Sequence, residues 1–181
     1  MMFGSASIHE TRFAPASLVC AALSAICLSP STAAAREPAI TAFTAACFNK
    51  GYTQQRITQA MEHAIGGPLS FDLTFWDKAL APAPNTSDFH ERRCEVAFAG
   101  DHTQTAIDAL REKMATPPVF GHKIPLPVTH AANSGTALIE GRELLRGRTA
   151  VIQIGTRPTQ TGIETYIIVD RLPANWQDQL Q

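Results

Sequence analysis

The sequence lacks a basic excess: 15 Lys and Arg face 16 Asp and Glu, for a formal net charge of −1. Nucleic-acid binders normally carry a strong positive surplus, so that class is excluded. No run of like charges marks an interaction tail. Neither G-x-x-x-x-G-K-[ST] nor G-x-G-x-x-G occurs, so there is no backbone cradle for phosphates and nucleotide-dependent chemistry is not expected. The chain has no C-x-x-C redox pair. Ser134 lies in "NSGT" without a G-x-S-x-G elbow, and Ser70 and Ser87 have no nucleophile context either. No internal repeat is visible. The sequence therefore implies no cofactor.

It also lacks an apolar run long enough to span a bilayer, which takes about 20 residues. The longest such stretch is "FAPASLVCAALSAICL", Phe13 to Leu28, and it contains Pro15. His9, Glu10 and Arg12 precede it. Ser29, Pro30 and the small residues Ser31 to Ala35 follow, before charge returns at Arg36 and Glu37. That order is the signature of a secretory signal peptide, with cleavage expected after Ala35. Cys20 and Cys27 lie inside this segment. They are preceded by Val19 and Ile26, not by the small residue that a lipid-attachment cysteine requires. The division is thus 1–35 signal peptide and 36–181 a single domain, periplasmic or secreted, with no membrane span after cleavage.

Of 181 residues, 45% are hydrophobic, enough for one domain with a true core. Removal of the leader leaves Cys47 and Cys94. A lone cysteine pair in an oxidising compartment is expected to join. A closed loop of this length stabilises by roughly 4 kcal/mol in the chain-entropy account. Arg92 and Arg93 beside Cys94 would suit a reactive thiol instead, but Cys94 opens an apolar strand pattern and Cys47 lies on an apolar helix face.

Periodicity supplies the elements. Ile40, Phe43 and Cys47 share one face of a helix over Pro38–Phe48, with Pro38 in its first turn. Thr53 caps a second helix in which Ile57, Ala60, Met61, Ala64 and Ile65 form a stripe, ended by Gly66-Gly67-Pro68. "LSFDLTFW" alternates as a short edge strand, and 79–91 is a loop holding the glycosylation-type triplet Asn85-Thr86-Ser87. Cys94, Val96 and Phe98 point to one side of a strand. Asp101, with Gln104 three residues on, predicts a capping box for a helix over 101–115. Pro125 and Pro127 confine 119–128 to an edge. A meander follows over 136–145, 148–156 and 163–172, although "ALIEGRELL" also tolerates a helix. "TAVIQI" and "ETYIIV" are β-branched on both faces and predict central strands. The fold class is α+β: an N-terminal helical hairpin, then a mostly antiparallel sheet with one inserted helix, in the order α-α-β-α-β-β-β.

The candidate chemistry is sparse. His63, His90, His102, His122 and His130 show no i, i+4 or i, i+2 zinc spacing. A metal set assembled across loops would draw on His90, Asp101, His102 and His130; the plainer use of Asp101-His102 is a helix start, with the other loop histidines on the surface. Arg148, Arg157 and Arg171 form a candidate ligand-binding cluster, because guanidinium forks suit carboxylate or phosphate. The competing use is pairing with Glu140, Glu143, Glu164 and Asp170. Trp76, Trp176, Phe75 and Tyr166 suit core packing better than the floor of a groove.

"RRCEVAFAGDH" (Arg92–His102) and "RTAVIQIGTRPTQTGIETYIIVD" (Arg148–Asp170) resemble a group of small exported bacterial proteins of unknown function, some labelled succinyl-CoA synthetase β subunit. The resemblance implies a secreted, disulfide-bonded chain. It carries no catalytic residue, and a chain without a phosphate-binding loop does not support the enzyme label. The expectation is an exported envelope protein acting as a non-catalytic module that binds another envelope protein or a small ligand, on its sheet face or at the hairpin end. The alternative is a small exported hydrolase or metal-assisted enzyme using His102, Asp101 and His130.

Overall fold

A computed structural model describes residues 36–80, 90–117, 121–144 and 147–179. The expected signal peptide and the Asn85 triplet lie outside these residues. The described residues belong to one compact unit.

Helix α1 (Pro38–Ala46) starts at Pro38 and ends two residues sooner than its apolar pattern, where Asn49 Nδ2 takes the Ala45 carbonyl (2.9 Å). Helix α2 (Gln54–Ile65) is capped as expected: the Thr53 hydroxyl accepts from Arg56 N–H (3.3 Å), and Gly66 adopts φ 73° at the other end. Strand β1 (Asp72–Asp77) is shorter than its alternating pattern, with Leu69 and Phe71 laid on the core as plain chain. Then come β2 (Arg92–Ala99), α3 (Thr103–Met114), β3 (Gly121–Ile124), β4 (Thr136–Leu144), β5 (Arg148–Thr159) and β6 (Gly162–Arg171), with a 3₁₀ turn at Trp176–Gln179.

The six strands form one antiparallel sheet in the order β1-β2-β6-β5-β4-β3. The strands richest in β-branched residues, β5 and β6, are central, and the proline-limited β3 is an edge. Residues 136–144 are strand, which resolves the helix alternative. The final turn is tighter than predicted. Pro158 and Thr159 still pair with Ile163 and Gly162, so only Gln160 and Thr161 turn the chain.

Register fixes the two faces. Cys94, Val96 and Phe98 align with Val169, Ile167 and Thr165, and these with Ile152 and Ile154, all on the face toward the helices. There they meet Ile40, Phe43, Ile57, Met61 and Leu110 in one cluster, each of these five completely buried. Full burial of one such side chain contributes about 1.5–3 kcal/mol. The Cys47–Cys94 disulfide (Cα–Cα 5.6 Å) joins the end of α1 to β2 across 47 positions. The staple expected from the cysteine count is present, and it fastens the helical layer to the sheet.

The opposite face has a smaller apolar cluster, Val151, Leu172 and Trp176 with Ile124, Leu126 and Ile139. The start of α3 departs from the predicted capping box. His102 is the N-cap residue without a side-chain bond, Asp101 Oδ1 accepts from Thr103 N–H (3.1 Å) and its hydroxyl (2.7 Å), and Gln104 reaches forward to Asp108 (3.0 Å). Gln104 finds a partner one turn ahead within its own helix, so the reciprocal bond back to the cap does not form.

Candidate metal centre

On the face away from the helices, β2 and β6 place Arg93 directly opposite Asp170. Tyr166, Ile168 and Asp170 alternate onto this face, so the row ends in a buried carboxylate. Arg93 grips it as a fork: Nε donates to Oδ1 (2.8 Å) and Nη2 to Oδ2 (2.7 Å). Burial by itself would raise the Asp170 pKa. The Arg93 fork, then His130 and His90, outweigh it and hold the carboxyl below its ordinary value.

Two imidazoles close over the same carboxylate. His90 arrives just before β2, with Nε2 3.4 Å from Asp170 Oδ2. His130 comes from the loop between β3 and β4. Pro127 is fully buried there and its carbonyl accepts from His130 N–H (2.9 Å), which turns the chain inward. His130 Nε2 lies 3.5 Å from the same Oδ2. The two rings meet edge to face at 4.9 Å, and Trp76 packs edge-on against His90 at 6.1 Å. The side chains of His130, Asp170 and His90 are 5%, 4% and 14% exposed. Burial, only partly offset by Asp170, lowers the His90 pKa, and Arg93, His130 and Lys78 push the same way.

His130 Nδ1 is 2.9 Å from the Thr129 hydroxyl, whereas Nε2 is buried without a hydrogen-bond partner among the described residues. The tautomer that carries its proton on Nδ1, donated to the Thr129 hydroxyl, leaves the Nε2 lone pair to ligate an ion. One donor atom each from His90, His130 and Asp170 lies within 4.8 Å of the other two. A tetrahedral ion with bonds of about 2.0–2.1 Å holds its donors about 3.3–3.4 Å apart, close to the 3.4 and 3.5 Å between each imidazole and Asp170 Oδ2, while the two imidazole donors lie within 4.8 Å of each other. The Arg93 fork is the kind of outer hydrogen bonding that orients a ligating carboxylate.

The candidates read from sequence are redistributed. His90 and His130, expected at the surface, are packed inside, because the β3–β4 loop crosses the sheet and buries them. Asp101 and His102 stand beyond the far end of β2, whose eight residues at about 3.3 Å each span roughly 25 Å. The His102 N–H binds Thr165 Oγ1 (2.8 Å) and its ring lies against Phe98 (5.5 Å). Asp170, counted from sequence only as a pairing acid, replaces both. The signal for it was the alternation in "YIIVD", which turns an acid inward.

The arginine cluster also divides. Arg157, nine positions along β5 from Arg148, binds Glu95 (2.8 Å) and Glu164 and stacks on Tyr166 (5.5 Å), the pairing use. Arg148 and Arg171 are at the opposite end, beside Arg92. His122 is an exposed strand residue 3.2 Å from Glu143, and His63 lies in the last turn of α2. Phe75, Tyr166 and Trp176 are buried. No helix among the described residues is long and apolar enough to cross a membrane. Comparison with protein-family models, curated proteins and solved structures finds no match.

Proposed function

We propose that this chain is an exported, disulfide-bonded envelope protein that binds a divalent transition-metal ion without catalysing a reaction, through His90, His130 and Asp170. The observation that carries the reading is the buried His130 Nε2, which has no hydrogen-bond partner among the described residues and lies 3.5 Å from a carboxylate that a second imidazole also approaches. An ion between them satisfies all three groups. Two imidazoles and a carboxylate suit zinc and its neighbours better than calcium or magnesium, which prefer all-oxygen shells. Placement in the envelope rests on the leader pattern before Arg36 and on the Cys47–Cys94 bond, which persists in oxidising compartments. The resemblance to small exported proteins agrees with this placement.

The burial of the three ligands favours holding an ion over presenting it to a substrate. The alternative enzyme using His102, Asp101 and His130 has less support, because two of its residues stand at the other end of β2.

Elemental analysis and calorimetric titration of the mature, untagged protein with zinc and cobalt test the reading. The expected result is one ion per chain, a cobalt spectrum of low coordination number, and loss of both in His130→Ala and Asp170→Asn. If the folded wild type binds none of these ions, or the variants bind as well as it does, the trio is only an ionic knot and the proposal fails.

A further inference from the structure

We infer that a notch in the outer edge of the sheet, where β1 parts from β2, receives an extended segment of a partner protein in which apolar residues alternate with basic ones. The notch lies at the opposite end of β2 from the metal trio. Strand β1 pairs with β2 only from Asp72, opposite Ala97, onward. Leu69 and Phe71, just before it, turn in to lie on the core. Strand β2 continues to Ala99, and the β5–β6 hairpin runs on to Thr159 and Gly162. Together these pieces leave an open groove of about 700 Å³, in the range of about 300–1,000 Å³ that ligand sites occupy.

The backbone at the notch is set up for strand addition. Gly100 N–H donates to the Ile163 carbonyl (2.8 Å) and Lys78 N–H to the Glu91 carbonyl (2.9 Å). Bonding direction alternates along an antiparallel strand. Even-numbered residues of β2 therefore bond toward β6, and odd-numbered ones toward β1. Ala99 thus turns both its N–H and its C=O to the β1 side. Its partner in that register would be Ser70, which does not join the ladder. Ala99 is exposed, so it offers one donor and one acceptor to an incoming strand, the mode in which a peptide extends a sheet edge.

The side chains around it choose the partner. Phe71, Phe98 and Ile163 supply an apolar wall, and Ile163 is 44% exposed. The charged side chains lining the groove, Asp72 and Glu164, are both acidic. Glu164 shares Arg157 with Glu95, two carboxylates on one guanidinium, so this pair of strands keeps a net negative charge beside the notch. Apolar residues of an added strand seat against the wall, and the basic residues between them meet the acids.

Titration of the full mature protein with the peptide acetyl-Lys-Val-Lys-Val-Lys-amide tests this, with the Ala99 amide resonance as the readout. The expected result is a shift at Ala99 and in the groove, with binding at least about tenfold tighter than that of acetyl-Glu-Val-Glu-Val-Glu-amide. Methylating the peptide's backbone amides, or the substitution Asp72→Lys at an exposed residue, should each weaken binding by a similar factor. Equal binding of the two peptides overturns the basic partner. A methylated peptide that binds as tightly overturns strand addition. Hexylamine binding as tightly as the peptide overturns a protein partner in favour of a small cation. No shift at Ala99 with any probe at millimolar concentration overturns the site. Ile163→Ser, read the same way, keeps the test if Asp72→Lys does not fold.

Discussion

On the face of the sheet turned toward the helices, Val96, Ile152, Ile154 and Ile167 are completely buried, whereas on the other face the same strands present Arg93, Glu95, Gln153, Tyr166 and Asp170. The first face is held by non-directional burial and one covalent bond. The second is held by directional bonds: Arg93 on Asp170, Arg157 on Glu95, and Gln153 Nε2 on the Thr136 and Tyr166 hydroxyls (3.0 and 3.1 Å). Tyr166 fits there because its partner across the ladder is Gly155, where an added Cβ would come within 2.5 Å of the tyrosine oxygen. An apolar face tolerates any shape-compatible filling, but a polar buried face requires each group to find its partner. Uncompensated polar atoms are therefore informative on the second face, and His130 Nε2, unmatched among the described residues, lies there.

Substitutions should separate the two kinds of stabilisation. The largest loss is expected for Phe43→Ala, which empties a fully buried position and should lower stability by about 3–5 kcal/mol in urea unfolding. Next, Cys94→Ala with Cys47→Ala should cost about 2–5 kcal/mol. A cost below about 0.5 kcal/mol would show that burial alone holds the helices to the sheet. On the polar face, Asp170→Asn leaves the Arg93 charge without its fork partner. Breaking a buried pair costs about 3–5 kcal/mol, but Arg93 keeps 31% exposure, so we expect about 2 kcal/mol. Metal-free protein is the right sample, since an ion would add its own effect. Arg157→Gln, at a guanidinium 46% exposed, should cost under about 1 kcal/mol, and a larger loss would mean the far polar cluster is cooperative with the near one.

The smallest effect belongs where the helical layer runs out. Glu140 is on the helix-side face opposite Ile152, yet it binds Lys123 (3.0 Å) and Arg142. Burial would raise its pKa, but Lys123 and Arg142 hold it below the ordinary carboxylate value. A lowered folded pKa means stabilisation that is present above the unfolded value and lost as pH falls through the folded one. Glu140→Gln should therefore flatten the acid limb of the stability profile slightly below the ordinary carboxylate range. An unchanged acid limb would make Glu140 a spectator.

Much of this architecture was legible because it is local. The helix over 54–65 followed from a period and a cap, the edge position of β3 from two prolines, and the centrality of β5 and β6 from β-branched runs. The disulfide followed from counting, since only Cys47 and Cys94 lie outside the segment expected to be a signal peptide. The site was only half legible. His90 and His130 were named as potential ligands, but their association with Asp101 and His102 rested on nearness in sequence. Asp170 was seen only as a pairing acid. Likewise Arg148 and Arg171 were grouped with Arg157, which a twelve-residue strand carries to the other end of the sheet.

By itself the sequence determined the periods, the stops and the single covalent link, because each depends on residues a few positions apart or on the absence of any other partner. Only the tertiary structure decided that Arg93 faces Asp170 and that His130 folds over Asp170. Strand register and the path of a loop across a sheet join residues 40 to 80 positions apart, and no local preference encodes those distances.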